Sequence, residues 1–257
     1  MIINIIRLSL FLIKTIFLKN FYFDKVKSQN KNKENLFLLY LCKFLKNKNG
    51  IELGFHFNQF NLVGLYKKNY DLVLIDGGPI PNVLLMRFIN LFLRKNLRVV
   101  HKFVDKKNIN EIFYFKKIGI FSIDIDGNDY WMLKELFNNQ IFPEVIVVEY
   151  NSTFLNKSIT VPYSKNFDRF KMHKSGFYHG ASLVAFDKLL KSKNYTLVKV
   201  VAGLNAFFVN NEIFKKTKLK KISSKKIKEE NLKRRKLSKL NSKQQFNQIK
   251  NLRFIKV

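Results

Sequence analysis

Cysteine is almost missing. Cys42 is the only one in 257 residues, which excludes an intrachain disulfide and a cysteine-based zinc site and fits a reducing, cytoplasmic location. Acidic residues are scarce too: 18 Asp and Glu stand against 48 Lys and Arg, a formal charge of +30. An excess of this size normally points to nucleic acid or an anionic membrane. It is unevenly spread, since residues 215–256 carry 17 Lys and Arg against only Glu229 and Glu230. A chain rich in Lys, Asn, Ile and Phe together also bears the mark of an AT-rich genome, so a solvated basic surface is the first expectation. The apolar stretch Met1 to Leu18 is broken by Arg7 and Lys14, which with Asn4 can share one helical face. Such a helix packs on the domain or lies in a membrane interface more readily than it spans one. No small-residue cleavage site follows it, which argues against a signal peptide.

What the chain does have is apolar bulk: 47% hydrophobic residues, including 27 Phe, ample for one α/β domain with extensions. The stretch Ile120 to Ser152 organises it. Ile120 to Ile125 is mostly β-branched and aromatic and Val145 to Val148 is continuous Ile and Val, runs apolar on both parities as in strands buried on both faces of a parallel sheet. The first breaks at Asp126-Gly127-Asn128-Asp129, the second at Glu149-Tyr150-Asn151. Asp124, Asp126, Glu149 and Asn151 are thereby expected at the carboxyl ends of neighbouring strands, where open α/β sheets bind ligands.

The remaining elements alternate around that stretch. Residues 1–23 read as an apolar, basic amphipathic helix and 24–49 as a linker with a short helix over Leu36 to Leu45. Gly50 to Gly54 is a first strand, followed by a helix over Gln59 to Lys68; Tyr70 to Asp76 is a second, with a helix over Pro81 to Lys95. Leu97 to Val104 is a third strand and Asn108 to Lys117 a third helix. Thr153 to Tyr178 is irregular and aromatic, too long and too apolar for an idle connection, and reads as a lid or acceptor wall. A helix over Ala181 to Lys191 precedes two strands, Tyr195 to Val201 and Asn205 to Val209, joined by a tight hairpin. The order predicts a doubly wound, Rossmann-like α/β domain over 50–210. Its sheet is seven-stranded and mostly parallel, closed by an antiparallel C-terminal hairpin. Residues 211–257 form a basic tail.

The spacing carries chemistry as well. Asp76 lies 22 residues after Gly54, a separation suited to an acid that binds the ribose of a nucleotide-like cofactor. Hard oxygen ligands at two strand ends, Asp126, Glu149 and Asn151, suit Mg²⁺, while Asp129 and Asp126 can instead cap the helix that begins near Tyr130. His179 or His173 in the aromatic loop could serve as a base. His101 reads as an ordinary surface or core histidine.

Four pieces in order resemble the FkbM-type S-adenosylmethionine-dependent methyltransferases, a family with the class I methyltransferase fold. They are Ile51-Glu52-Leu53-Gly54, Leu74-Ile75-Asp76-Gly77, the run from Phe121 to Tyr130, and Val147-Val148-Glu149-Tyr150-Asn151. A fifth is the C-terminal set Gly180-Ala181-Ser182-Leu183, Asn194 to Val198 and Gly203 to Val209. The resemblance implies a cofactor site of Glu52, Gly54, Asn58, Asp76 and Asp124 for S-adenosylmethionine. It also implies a catalytic set of Asp124, Glu149 and His179, and a hydroxyl acceptor on a small molecule or glycan such as a surface polysaccharide precursor. His56 and Asn58 stand where the family's second and third loop glycines fall, which is expected to reshape that loop. A membrane-seeking segment over residues 1–18 and the basic tail would hold the protein at the inner face of a membrane. Two other readings compete: a degenerate methyltransferase fold used as a binding scaffold, and a nucleic-acid methyltransferase. Against the latter, Glu149-Tyr150-Asn151-Ser152 lacks the Asn/Asp-Pro-Pro-aromatic signature of amino-group methylases.

Overall fold

The computed structural model describes residues 2–18, 20–27 and 33–257. Met1 and Lys19 of the expected first helix, and residues 28–32 of the expected linker, lie outside the described residues. The chain forms two compact units, the first running to Lys43 and taking in Lys48–Val104, the second made of Phe44–Asn47 and Asp105–Val257. This division falls inside the single domain expected over 50–210.

In the first unit three parallel strands, β1 (Asn49–Leu53), β2 (Asp71–Asp76) and β3 (Leu97–His101), lie in the order β3-β2-β1. Leu72 to Ile75 are buried at every position, as a run without polar alternation requires. The Ile80–Leu93 helix joins β2 to β3, with Pro81 in its first turn, where no intrahelical N–H bond is lost. The helix after β1 is shorter than the sequence suggests, only Val63–Lys67. A tight turn at His56 to Gln59, closed by backbone bonds of 3.1 and 2.9 Å, precedes it, and the N–H groups of Asn61 and Leu62 in the expected first turn go to the Glu52 carboxylate instead. Helices Ile2–Phe17, Phe21–Lys25 and Lys33–Leu41 complete the unit. The ring of Phe11 packs against Phe21, Tyr22 and Phe57, so the first of these helices is seated on the unit by one side.

In the second unit β4 (Ile120–Ile123) and β5 (Val145–Glu149) are parallel, connected by the Asp129–Asn138 helix. A short strand β6 (Ile159–Thr160) and the Leu183–Lys191 helix, capped by Ser182 through a 3.0 Å bond to the Ala185 N–H, lead to β7 (Tyr195–Val201) and β8 (Asn205–Asn210). β8 runs antiparallel to both β5 and β7. Ala202 and Gly203 both have positive φ, 54° and 63°, the two-residue turn whose twist matches its strands. The helix expected over Asn108 to Lys117 is only a single 3-10 turn, Ile109–Ile112. Asp105 explains this: its carboxylate takes the Lys107 and Asn108 N–H groups at 2.8 and 3.2 Å, offering the backbone an alternative to helix.

Strand order over the whole chain is β3-β2-β1-β4-β5-β8-β7, a Rossmann-like, mostly parallel seven-stranded α/β sheet closed by an antiparallel hairpin, as the sequence predicts.

The tail differs from a solvated basic run. Helices Leu232–Ser238 and Ser242–Ile249 form, the latter with a capping box between Asn241 and Gln244, and β9 (Ile255–Lys256) pairs antiparallel with β6. Ile249 joins Phe154, Ile159, Val161, Phe177 and Tyr178 in one buried cluster, with Leu240, Phe246, Leu252 and Phe254 packed against it. The aromatic segment after β5 and the tail thus bury each other.

Candidate active site

The carboxyl end of β5 and the loop after β4 bring four acidic residues of the second unit close together. Asp129 begins its helix but does not cap it. Its two oxygens instead accept the N–H groups of Ile125 and Gly127, both at 2.9 Å, and so fold the Asp124 to Asn128 loop, in which Asp126 takes φ 57°. Burial pushes the Asp129 carboxyl up to about 7 against those two bonds. Asp124 is held well above the usual carboxylate range, first by burial, then by the charge of Glu149 and a hydrogen bond with it. Asp124 is thereby held toward its protonated, hydrogen-bonding form.

Oxygens of Asp126 and Glu149 and a ring nitrogen of His179 lie within 4.8 Å of one another. Two guanidinium groups enter this cluster. Arg169 Nη1 sits 2.5 Å from Asp126 Oδ1. Arg234, from the tail, is 91% buried at its side chain and makes four contacts. Its Nη1 donates to Asn151 Oδ1 at 2.8 Å and to Thr153 Oγ1 at 3.4 Å, and its Nη2 reaches His179 Nε2 at 2.9 Å and Glu149 Oε1 at 3.6 Å. Because a guanidinium only donates, His179 must carry its proton on Nδ1. Burial, then Arg234 and Arg169, hold this imidazole well below its ordinary pKa, so it stays neutral with its Nε2 lone pair engaged.

Asn151 is equally committed. Its Oδ1 also accepts from Thr153 N at 3.0 Å, and its Nδ2 donates to the carbonyls of Phe177 and His179 at 2.8 and 2.9 Å. Asp126, Glu149 and Asn151 consequently do not fit Mg²⁺: the amide oxygen is doubly bonded, and two fixed guanidinium charges offset the two ionised carboxylates a divalent cation would need. Of the other histidines, His173 Nδ1 bonds Ser175 Oγ at 2.7 Å and His101 Nε2 meets Gly78 O at 2.9 Å.

The first unit carries its own set. Gly54 takes φ 78°, open to a residue without Cβ, and its N–H bonds Ile75 O at 2.9 Å. Glu52 turns inward rather than toward a ligand: its oxygens accept Asn61 N and Leu62 N at 2.7 and 2.8 Å, and burial pushes its carboxyl up to about 8. Asn58 is exposed, its Oδ1 2.6 Å from His56 Nδ1, so the two side chains in the glycine positions contact each other. Asp76, half-buried at the end of β2, accepts Gly78 N at 2.9 Å on one oxygen and Asn82 Nδ2 at 2.7 Å on the other. A carboxylate offers about four acceptor sites, so each oxygen keeps a lone pair for a diol. Asn82 ties this acid to the preceding loop, donating to Phe55 O and accepting from Phe57 N, both at 2.8 Å.

Sequence reasoning missed Asn82, Arg169 and Arg234. The first had a signal, an amide inside the apolar run Ile80 to Leu93; Arg234 had none, being one of four consecutive cations from Lys233 to Lys236.

No protein-family model and no curated protein matches the chain. Among solved structures it is similar to a methyltransferase from Geobacter sulfurreducens, at 11% identity over 77% of this chain and 87% of that one with a TM-score of 0.45. It is similar to the N-terminal domain of EvdMO1, crystallised with SAH and D-fucose, at 10% identity over 71% and 83% with a TM-score of 0.45. For the pyocyanin biosynthetic protein PhzM the figures are 12% identity, 65% and 51%, and 0.41, so the chain spans about half the length of that protein.

Proposed function

We propose that this chain is an S-adenosylmethionine-dependent O-methyltransferase acting on a hydroxyl of a small molecule or glycan, such as a surface polysaccharide precursor. The observation that carries the reading is the hydrogen-bonded carboxyl pair Asp124 and Glu149 at the ends of β4 and β5. A hydroxyl acceptor must lose its proton as its oxygen bonds to carbon, and a positioned carboxylate contributes about 10² to 10⁴ in rate.

Bound S-adenosylmethionine supplies a methyl group on a positively charged sulfur. Asp76 holds ribose hydroxyls with its remaining lone pairs, and Gly54 allows the backbone a close approach. Glu149 receives the acceptor proton, while Arg234 holds its carboxylate in place and offsets its charge. Asp124, hydrogen-bonded to Glu149, orients that carboxylate. His179 positions Arg234 and takes no proton.

The two units are tested separately. Calorimetric titration with S-adenosylmethionine and its demethylated product is expected to give micromolar binding, weakened more than tenfold by Asp76→Ala. Glu149→Gln should leave that binding intact and lower methyl transfer about 10² to 10³-fold. No heat from either ligand would overturn the reading. The scaffold alternative would then stand, favoured by the His56 to Asn58 contact in the loop.

A further inference from the structure

Two helices of the first unit turn apolar side chains outward. On the Ile80–Leu93 helix the buried side holds Asn82, Val83, Met86 and Ile89. The opposite arc holds Ile80, Leu84, Phe88, Leu91 and Phe92, all exposed, with Leu91 at 69%. A helix apolar all round belongs in a core or against lipid, and here one full side faces away from the core. The Ile2–Phe17 helix, which touches it, repeats the pattern: Leu10, Ile13 and Phe17 are exposed at helical spacing, Phe17 at 78%.

Charge says what covers these strips. Neither helix contains an acidic residue. Arg7 and Lys14 border the first strip and, with Lys25 and Lys27, line a groove of about 790 Å³ whose other walls include Leu10, Phe11 and Phe21 and no acid. Arg87 lies within the second strip and Arg94 follows its end. Lys67 and Lys95 converge on the Phe23 ring, at 5.8 and 6.0 Å. Apolar strips on helices whose only charges are cations complement a bilayer with anionic headgroups, where apolar burial and charge attraction add. Among the described residues no helix is long and apolar enough to cross a membrane. A helix of 16 residues reaches about 24 Å, short of a hydrocarbon core of about 30 Å.

We propose that the first unit docks on an anionic lipid surface through the outward strips of the Ile2–Phe17 and Ile80–Leu93 helices, both lying in the interface plane. The inference is independent of the catalytic reading. It differs from docking by the tail, whose Leu232–Ser238 helix also exposes Leu232 and Leu237 beside lysines but delivers Arg234 inward.

The test is sedimentation of the full chain with phosphatidylcholine vesicles, with and without phosphatidylglycerol. At least tenfold more protein should pellet with the anionic vesicles, and added salt should release it. Leu84→Glu with Leu91→Glu should lower pelleting about tenfold, as should Leu10→Glu with Phe17→Glu, with far-ultraviolet circular dichroism unchanged. Leu237→Glu should leave it unchanged. Equal pelleting with both vesicle types, no effect of either strip variant, or loss with Leu237→Glu alone would overturn the proposal. So would a dimer in sedimentation equilibrium that the Leu84 and Leu91 changes dissociate, since the strips would then cover each other in two copies.

Discussion

Arg234 shows how much of this site rests on one side chain. Removing a partner from a buried ion pair costs about 3 to 5 kcal/mol, because the remaining charge keeps its burial without compensation. Arg234→Met is therefore expected to lower unfolding free energy in urea by about 3 kcal/mol, and Arg234→Met with Glu149→Gln by clearly less. The same change frees the His179 imidazole from a neighbouring cation, so its pKa, followed by nuclear magnetic resonance, should rise toward the ordinary range. Glu52 gives a second residue-level test. Its carboxyl keeps its proton to about pH 8 in the fold, whereas the unfolded chain releases it near the ordinary value. Stability is full below that ordinary value and falls as pH climbs to about 8, where it levels off. The loss is on the order of 5 kcal/mol, and Glu52→Gln should flatten the profile.

At the scale of elements, strands were legible and loops were not. Apolar runs such as Leu72 to Ile75 and Val145 to Val148 announce buried strands because burial on two faces leaves no room for polar alternation. The hairpin at Ala202-Gly203 is announced by its glycine. Asn108 to Lys117 misled because periodicity records which residues could face a core but not that Asp105 would claim two N–H groups first. The acids at strand ends were found by the same logic as the strands, but their occupancy was not: Asn151 is consumed by four partners drawn from sequence positions up to 83 residues away. Gly203 also shows a constraint invisible in sequence. A Cβ there would lie 2.2 Å from the backbone carbon of Glu230, so Gly203→Ala must displace the tail as well as strain φ. A cost of about 1 to 3 kcal/mol is expected, with faster tryptic cleavage after Lys233, Arg234 and Arg235 than in the native chain.

For the whole molecule, composition misdirects where it is most conspicuous. The charge of +30 draws attention to the tail, yet the tail folds by its few apolar residues. A chain ending at residue 230 would uncover Phe154, Phe177 and Tyr178 and leave Glu149 without Arg234. It is expected to bind a hydrophobic dye strongly and to lose near-ultraviolet circular dichroism while keeping most of its far-ultraviolet signal. Full retention of both signals would show that β4 to β8 pack without it.

The antiparallel pairing of β9 with β6 also has a meaning in time. Ribosomes deliver β4 to β8 first and the Leu232–Ser238 helix only afterwards, so a nascent chain carries Glu149, Asp126 and His179 in a half-made pocket open to water. Arg234 arrives after every strand from β4 to β8. Charge balance in the cluster is then reached only after the sheet's strands are made, and a chain released before residue 234 would hold every strand of its sheet while lacking the cation that settles its acids.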